Sequence, residues 1–240
     1  EVVAPGVRKN DLVAEIMAAG VRGVPGAGGD YPAIVPLLPT GADASAPHLT
    51  WDDSPMISGA GTFFEIAGCY KRYHCPLSRT IYLGKPPQHF LDGEKAVVEG
   101  IAAGLEAAKP GNTTGDIARA FFKVLEKFGI HKDSRCGYPI GISYPPDWGE
   151  RTMSLRPSDE SVLQPGMTFH FMPGLWLDDC TLGYVDRGAG VGYTAGHCGF
   201  AGEPVLNANN QVIGYYENSH HLLPALDIPL SYLAQFFPAA

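Results

Sequence analysis

The stretch from Gly61 to Thr80 constrains the fold of this 240-residue chain more than any other part of the sequence. Aromatic and β-branched residues fill it, and Gly68 and a basic pair interrupt the run, which predicts two antiparallel strands joined as a hairpin. Glu65 lies inside an otherwise apolar part of the first strand, and a glutamate is rarely buried without a partner. Two interpretations stay open: a structural carboxylate, at a strand edge or paired with Arg72 or Arg79, and a catalytic carboxylate.

The predicted hairpin resembles that of the pita-bread hydrolases, the family that includes methionine aminopeptidase, aminopeptidase P and creatinase. In that family two aspartates of the hairpin bind metal ions, and a match without gaps places Glu65 at the first position and Pro76 at the second. Proline has no side-chain oxygen and cannot bind a divalent metal ion. We expect Pro76 to face Glu65 across the hairpin. The residues that carry the match are Tyr70, Lys71, Tyr73, Arg79 and Thr80.

Two further metal-binding positions of that family fall on side chains that suit a metal ion poorly. The family's histidine in Gly-His-x-x-Gly corresponds to Tyr138 in Gly-Tyr-Pro-Ile-Gly. The family's glutamate corresponds to Met172 in Gly-Met-Thr-Phe-His-Phe-Met-Pro. The resemblance therefore implies a member that works without the two-metal mechanism. We expect no metal and no other cofactor.

Within the family the chain is most similar to the ectoine hydrolases, from Glu1 to Asp179. This resemblance implies a metal-independent hydrolase that opens a small cyclic amidine, ectoine or hydroxyectoine, to an N-acetyl-2,4-diaminobutyrate. Glu65 would be the nucleophile or the acid-base carboxylate acting at the amidine carbon. The alternatives are a creatinase-like amidinohydrolase of another substrate and a catalytically inactive fusion or interaction module. The segments that carry the likeness begin at Gly29, Pro47, Gly61 and Arg135.

An aromatic and proline-rich stretch from Arg135 to Arg151 supplies further candidates for this site. Prolines stiffen such a segment and lower the entropy cost of presenting side chains to a ligand. Aromatic faces suit a small cation such as a protonated amidine. Tyr138 would donate a hydrogen bond to the intermediate, and Tyr144, Asp147 and Trp148 would contribute to the substrate pocket. The alternative is a rigid surface loop that packs its aromatic rings inward.

Two histidines and two arginines complete the candidate site. His48 is a candidate proton carrier or hydrogen-bond donor, and a structural histidine is the alternative. His170 alternates with two phenylalanines in a predicted strand, so it is either a pocket residue or a core histidine with its hydrogen bonds satisfied. Arg79 or Arg151 would bind the substrate carboxylate, a task that suits the bidentate guanidinium.

Three helices are predicted from apolar residues at helical spacing. Asn10 to Gly20 begins with a capping Asn and ends at a Gly, Gly93 to Ala108 follows the hairpin, and Thr114 to Phe128 begins at a Thr cap. The run from Gly23 to Pro47 lacks periodicity and is too long for a plain connector, so we expect it to be ordered over a site. The resulting fold class is α+β: a pita-bread domain over residues 1–180, with helices backing an antiparallel sheet, followed by an atypical β-rich tail over residues 181–240.

A net charge of −8 argues against nucleic acid and against an anionic membrane as partners. With no apolar run long enough to span a bilayer, we expect a soluble protein. The first three cysteines indicate a cytoplasmic protein, and the resemblance implies a small-molecule substrate. The resemblance adds a possible homodimer. Because the chain starts at Glu1 without Met, we expect a fragment or processed form that lacks the family's N-terminal domain. The cysteines are too few and too scattered for a disulfide framework: Cys69, Cys75, Cys136, Cys180 and Cys198.

The tail departs from the pita-bread pattern after Asp179. Its Thr-Ala-Gly-His197-Cys run resembles the general-base segment of secreted chymotrypsin-like proteases, and Asp227 is a loose match for the orienting aspartate. A catalytic triad also needs a nucleophile, and no Gly-Asp-Ser-Gly-Gly is present. A working serine protease is therefore the least expected function.

Overall fold

The computed structural model describes residues 3–46 and 48–175, together with the backbone of three strand segments at 190–191, 204–206 and 212–215. Within these ranges the chain forms helices α1 (Lys9–Arg22), α2 (Gln88–Ala107) and α3 (Thr114–Lys127), and a short 3-10 helix at Gly41–Ser45. The strands are β1 (Gly61–Tyr70), β2 (Tyr73–Tyr82), β3 (Gly137–Tyr144), β4 (Asp147–Gly149), β5 (Phe169–Phe171), β6 (Gly190–Val191), β7 (Pro204–Leu206) and β8 (Val212–Tyr215).

Six of these strands form one sheet, and each pair of neighbouring strands in it is antiparallel. Its order is β1, β2, β3, β5 and β6, with β4 paired to β3, while β7 and β8 form a separate pair. The predicted antiparallel sheet with helices is thereby confirmed for the described residues. Among them, no helix is both long and apolar enough to cross a membrane.

The predicted hairpin of β1 and β2 is confirmed, but one expected pairing is wrong. Lys71 and Arg72 form a two-residue turn, and this turn fixes the register of every pair along the hairpin. Glu65 is opposite Ser78, whereas Pro76 is opposite Ala67. Pro76 therefore lies two pairs nearer to the turn than we expected.

The segment between α1 and β1 covers the outer edge of the hairpin. The Leu37 amide donates to the Glu65 carbonyl at 2.9 Å, and the Glu65 amide donates back to Leu37 at 3.1 Å. Further along, the Asp30 amide donates to the carbonyl of Cys69 at 2.8 Å. These bonds satisfy backbone groups that an edge strand would otherwise leave open. The expectation that this long segment is ordered is confirmed.

Helices α2 and α3 form the layer that backs the sheet, as the apolar spacing predicts. Their buried faces join β5 in the largest apolar cluster, and Phe121 of α3 contacts Phe171 of β5 edge to face. Thr113 caps α3 in a reciprocal pair of bonds with Asp116. The predicted start of α1 is wrong: Arg8 is the N-cap residue, so Asn10 lies inside the helix, which continues past Gly20 to Arg22.

The cysteines that the structure describes, Cys69, Cys75 and Cys136, are free thiols. Burial raises the pKa of the Cys136 thiol to about 12. A thiol with so high a pKa is protonated at neutral pH and is a poor nucleophile. Cys69 and Cys136 are buried and pack as small apolar side chains.

Candidate active site

Glu65 is 2% exposed and lies on the face of the hairpin that packs against β3 and β4. Ala67, two residues along the same strand, packs on an apolar cluster that includes Tyr138 and Trp148. The Tyr138 hydroxyl donates to Glu65 Oε1 at 3.4 Å, and His170 Nδ1 lies 3.8 Å from the same oxygen. The structure thus brings three other predicted site residues, Tyr138, Trp148 and His170, together around one buried carboxylate.

The Tyr138 hydroxyl is the centre of this hydrogen-bond network. Trp148 Nε1 donates to the hydroxyl oxygen at 2.9 Å, and His170 Nδ1 lies 3.0 Å from the same oxygen. Because indole can only donate, Trp148 fixes the hydroxyl oxygen as an acceptor and leaves its single proton for Glu65 or His170. The network can therefore exist in two proton arrangements without moving a heavy atom.

Burial sets the protonation of both partners of Glu65. Burial, and after it the nearby Glu65 carboxylate, raises the pKa of Tyr138 well above its usual value. Burial also lowers the pKa of His170 to about 3, and the positive charge of Arg135 adds to this effect. At neutral pH the Tyr138 hydroxyl is therefore a proton donor, and His170 is a neutral imidazole.

Strand pairing places each of these side chains. Tyr138 on β3 is directly opposite His170 on β5, and Ile140 on β3 pairs with Gly149 on β4, which follows Trp148. A Cβ atom at Gly149 would lie 2.9 Å from the Tyr138 ring. Glycine at this position therefore allows β4 to approach the ring closely enough for the indole to reach the hydroxyl.

Two buried polar atoms near Glu65 have no hydrogen-bond partner. One is Nε2 of His170, on the side of the imidazole away from Tyr138, and the other is the hydroxyl oxygen of Ser78. Ser78 is fully buried and is the cross-strand partner of Glu65, so both side chains point to the same face of the hairpin. Unsatisfied buried polar atoms are uncommon and often mark functional sites.

The residues present do not fit the metal site of the pita-bread family. The four positions matched to metal ligands hold Glu65, Pro76, Tyr138 and Met172, and only the first offers a carboxylate. Across the part of the chain that the structure describes, no three His, Cys, Asp or Glu side chains are grouped so that they could hold a metal ion. Hard divalent cations need several oxygen ligands such as carboxylates, and borderline ones such as zinc also bind imidazole.

Arg79 and Tyr144, both predicted to bind substrate, lie away from Glu65. Arg79 is the cross-strand partner of Phe64, so strand alternation places it on the opposite face of the hairpin from Glu65. Tyr144 is 60% exposed, and the Arg72 guanidinium lies 4.7 Å from its ring. Neither side chain is among those that the structure brings together around Glu65, and their roles in substrate binding stay predictions.

The remaining predicted residues lie outside the hydrogen-bond network. His48 is exposed in a turn with a φ of 68°, and Arg151 is also exposed. Asp147 is half-buried and accepts the amide proton of Gly149 at 2.9 Å, which stabilises β4. His197 and Asp227 of the tail lie outside the described residues.

Sequence analysis missed three residues that the structure places at or beside the site: Ser78, His74 and Arg135. His74 is buried, accepts the Ala33 amide proton at Nε2 (2.9 Å), and so ties the covering segment to the hairpin. His74 and Ser78 alternate with Pro76 on β2, so the strand period carried a signal for the face they share. No sequence signal marked Arg135, because its role depends on the stacking of its guanidinium on the Tyr138 ring.

Comparison with known proteins connects this site to a family. The model of metallopeptidase family M24 matches residues 1–197, which extends beyond Asp179. The ectoine hydrolase of Halomonas elongata is 65% identical over 185 residues, or 75% of this chain and 46% of that protein. An uncharacterized hydrolase/peptidase of Sinorhizobium fredii is 43% identical over 74% of this chain and 45% of its own length. The chain spans about half the length of these curated relatives.

Solved structures share the fold. The prolidase from Pyrococcus furiosus superposes with a TM-score of 0.68 at 23% identity, covering 81% of this chain and 55% of the prolidase. The prolidase from Pyrococcus horikoshii OT3 gives a TM-score of 0.70 at 20% identity, covering 81% of this chain and 54% of that one. At this level of identity the likeness supports the pita-bread arrangement of sheet and helices and nothing finer.

Proposed function

The chain belongs to metallopeptidase family M24, and we propose that it carries the catalytic carboxylate of a metal-independent hydrolase that opens a small cyclic amidine. Ectoine or hydroxyectoine is the proposed substrate, and an N-acetyl-2,4-diaminobutyrate is the product. The similarity to an ectoine hydrolase at 65% identity supports the substrate. The observation that carries the chemistry is the buried Glu65 carboxylate in contact with the Tyr138 hydroxyl.

The reaction adds water across one C–N bond of the amidine. The water oxygen ends on the amidine carbon, and both water protons end on the leaving nitrogen, so the single positive charge of the amidinium passes to the amine product. Glu65 serves in either of two ways. Its oxygen attacks the amidine carbon and is later released by water, or it removes a proton from the attacking water and delivers it to the leaving nitrogen.

The side chains around Glu65 favour a cationic substrate. A buried carboxylate attracts an amidinium more strongly than one in water, because the local dielectric constant is low. The Tyr138 hydroxyl, held by Trp148, is positioned to donate a hydrogen bond to the oxygen that is added to the amidine carbon. His170 lies next to both groups as a neutral imidazole and shares a hydrogen bond with the Tyr138 hydroxyl.

The absence of a metal requirement is part of the proposal. Its support is the donor set at the four matched positions, where a proline, a tyrosine and a methionine replace residues that bind metal ions in the resemblance. The name of the matched family implies metal dependence. The proposal departs from that implication: Glu65 and Tyr138 polarise the amidine in place of a metal ion, and no step passes through a metal ion.

The test is hydrolysis of ectoine by the purified chain in excess chelator, followed by mass spectrometry of the ring-opened product. We expect turnover by the wild type and a loss of about 10²–10⁴-fold in kcat for Glu65→Gln, because the substitution removes the acid-base or nucleophilic group and keeps the shape. Glu99→Gln on the exposed face of α2 is the matched control and should retain full activity.

Circular dichroism and thermal unfolding establish that each variant is folded. Activity that persists in Glu65→Gln would refute the role of this carboxylate. Activity that disappears with chelator and returns with a divalent metal ion would refute metal independence. A folded wild-type chain without turnover would refute the proposed activity for this chain.

A further inference from the structure

The guanidinium of Arg135 lies over the ring of Tyr138, with Cζ 4.4 Å from the ring centroid. We propose that Arg135 forms a carboxylate subsite beside Glu65 and binds the acidic group of the substrate. This inference rests on the proposed function, because it assigns one end of the amidine substrate to a residue. It also replaces Arg79 and Arg151 as the arginine that binds the carboxylate.

The positive charge of Arg135 reaches the hydrogen-bond network around Glu65. It contributes to the lowered pKa of His170, and at Tyr138 it opposes the increase in pKa that burial causes. Glu65 and Arg135 both approach Tyr138, the carboxylate at the hydroxyl and the guanidinium at the ring face. A negative and a positive group therefore flank the same aromatic side chain.

The stacked position leaves the donors of Arg135 available for a ligand. A guanidinium that stacks on a ring presents its N–H groups around its edge, in the geometry that pairs with a carboxylate. The ion pairs between described residues involve Arg8, Lys9, Arg119 and His170, and none involves Arg135. Arg135 is half-buried, so an ion pair there is less screened by water than one on an open surface.

Other arginines near the hairpin fit the role less well. Arg79 lies on the opposite face of β2 from Glu65. Each of the three guanidinium nitrogens of Arg72 already donates to a backbone carbonyl, of Tyr31 or of Ser143, so Arg72 is committed to these contacts. Arg135 is the described arginine whose guanidinium lies on the ring of a residue that contacts Glu65.

The two charges of the substrate match the negative Glu65 and the positive Arg135 on either side of Tyr138. Ectoine carries a cationic amidine and, on the ring carbon next to one amidine nitrogen, a carboxylate. The carboxylate carbon is three covalent bonds from the amidine carbon, which places it about 4 Å away. With the amidine carbon at Glu65, the carboxylate is held close to the reacting atoms, where a neighbouring cation is required to balance it.

The test compares two substrates and three variants. Ectoine is the first substrate, and 2-methyl-1,4,5,6-tetrahydropyrimidine, the same cyclic amidine without the carboxylate, is the second. We expect Arg135→Gln to lower kcat/KM for ectoine about 10²-fold, mainly through KM, and to change kcat/KM for the second substrate less than about threefold. Arg135→Lys should lie between Arg135→Gln and the wild type, because it keeps the charge but not the bidentate fork.

Arg22→Gln at the exposed end of α1 is the control and should leave both substrates unaffected. Equal losses for both substrates would show that Arg135 only supports the ring of Tyr138, and unchanged ectoine kinetics would show that it has no role. Either result overturns the carboxylate subsite. Arg135→Lys keeps the long stem, so it decides the question if Arg135→Gln fails to fold.

A binding measurement separates this inference from the hydrolase proposal. Calorimetry of ectoine with wild type and Arg135→Gln needs no turnover, and we expect the same fold-loss in affinity as in KM. Binding that depends on Arg135 without hydrolysis would retain the subsite and refute the hydrolase. A wild-type chain that neither binds nor hydrolyses ectoine would refute both.

Discussion

At the scale of single residues, His170 is the side chain with the largest consequence for pH dependence. It is fully buried, and its pKa of about 3 lies far below the ordinary histidine value of about 6.5. Between these two values the unfolded chain binds a proton at this residue and the folded chain does not. The stability that His170 contributes is therefore complete above pH 6.5 and is lost progressively as the pH falls towards 3.

This predicts a difference between the wild type and His170→Gln. On acidification from pH 7 to pH 4.5, the free energy of unfolding should fall by about 2–3 kcal/mol more in the wild type, since two pKa units correspond to about 2.7 kcal/mol. Urea unfolding at both pH values measures this. His74, whose pKa burial also lowers, is present in both proteins, so its contribution cancels. Equal losses in the two proteins would contradict the pKa of His170.

Site residues could be predicted where the residue type was unusual for its position. They could not be predicted where strand register and cross-strand neighbours decide which side chains meet. Glu65 stood out as a charge in an apolar strand, and Tyr138 stood out because it replaces a metal-binding histidine. The strand faces of Arg79 and Tyr144 depended on register and on the β3 to β4 turn, which composition does not show. The strand period indicated the face of Ser78 but not its partner, whereas no local pattern marks Arg135, which acquires a role only from the Tyr138 ring beside it.

At the scale of elements, the hairpin turn is stabilised by the contacts of the Arg72 side chain, although neither turn residue is of a type that favours this backbone conformation. Lys71 and Arg72 have φ values of 48° and 67°, in the region where two-residue hairpin turns favour Asn-Gly. The guanidinium of Arg72 lies 4.2 Å from the Tyr31 ring and 4.7 Å from the Tyr144 ring, and it donates to Tyr31 and Ser143 carbonyls. Arg72 thus connects the hairpin to the covering segment and to β3.

Substitutions at the two turn positions should have opposite effects. Lys71→Asn should raise the free energy of unfolding by up to about 1 kcal/mol, since Asn tolerates the left-handed conformation and Lys71 is exposed. Arg72→Gly should lower it by about 1–3 kcal/mol, because the lost hydrogen bonds to a charged group outweigh the relief of the backbone. Urea titrations of both variants test this, and an Arg72→Gly protein as stable as the wild type would refute it.

The elements themselves were the most predictable part of the fold. Apolar spacing located α2 and α3, and a Thr cap marked the start of α3, but α2 begins at Gln88 rather than at the predicted Gly93. The start of α1 was misplaced because Asn10 matched the preferred cap residue, while the helix begins earlier without any side-chain cap. The segment over residues 24–46 showed no period, since it pairs with β1 through scattered backbone bonds.

At the scale of the whole molecule, two layers are held together by a close approach between α2 and β5. A Cβ atom at Gly104 would lie 2.6 Å from the Phe171 ring, so only glycine allows the helix to lie this near to the strand. Phe171 is the neighbour of His170 on β5, which connects the helical layer to the candidate site.

Two Gly→Ala substitutions should separate packing from helix propensity. Gly104→Ala should lower the free energy of unfolding by about 1–3 kcal/mol, because overpacking outweighs the gain in propensity. Gly20→Ala in α1 has open space around the new methyl group and should raise it by about 0.5–1 kcal/mol. Both are measured by urea unfolding, and a stabilised Gly104→Ala protein would contradict the close approach. The homodimer stays a prediction from the resemblance, and the cytoplasmic location stays a prediction from the sequence.

The backbone bonds between Leu37 and Glu65 bear on how such a protein evolves. They join main-chain atoms only, so any residue except proline at position 65 keeps its place beside position 37. The same holds for Tyr138, which strand pairing sets opposite His170. The scaffold specifies where side chains stand, and the side chains specify the chemistry. A lineage can therefore exchange one reaction for another by successive point substitutions, each tested by selection on an unchanged framework.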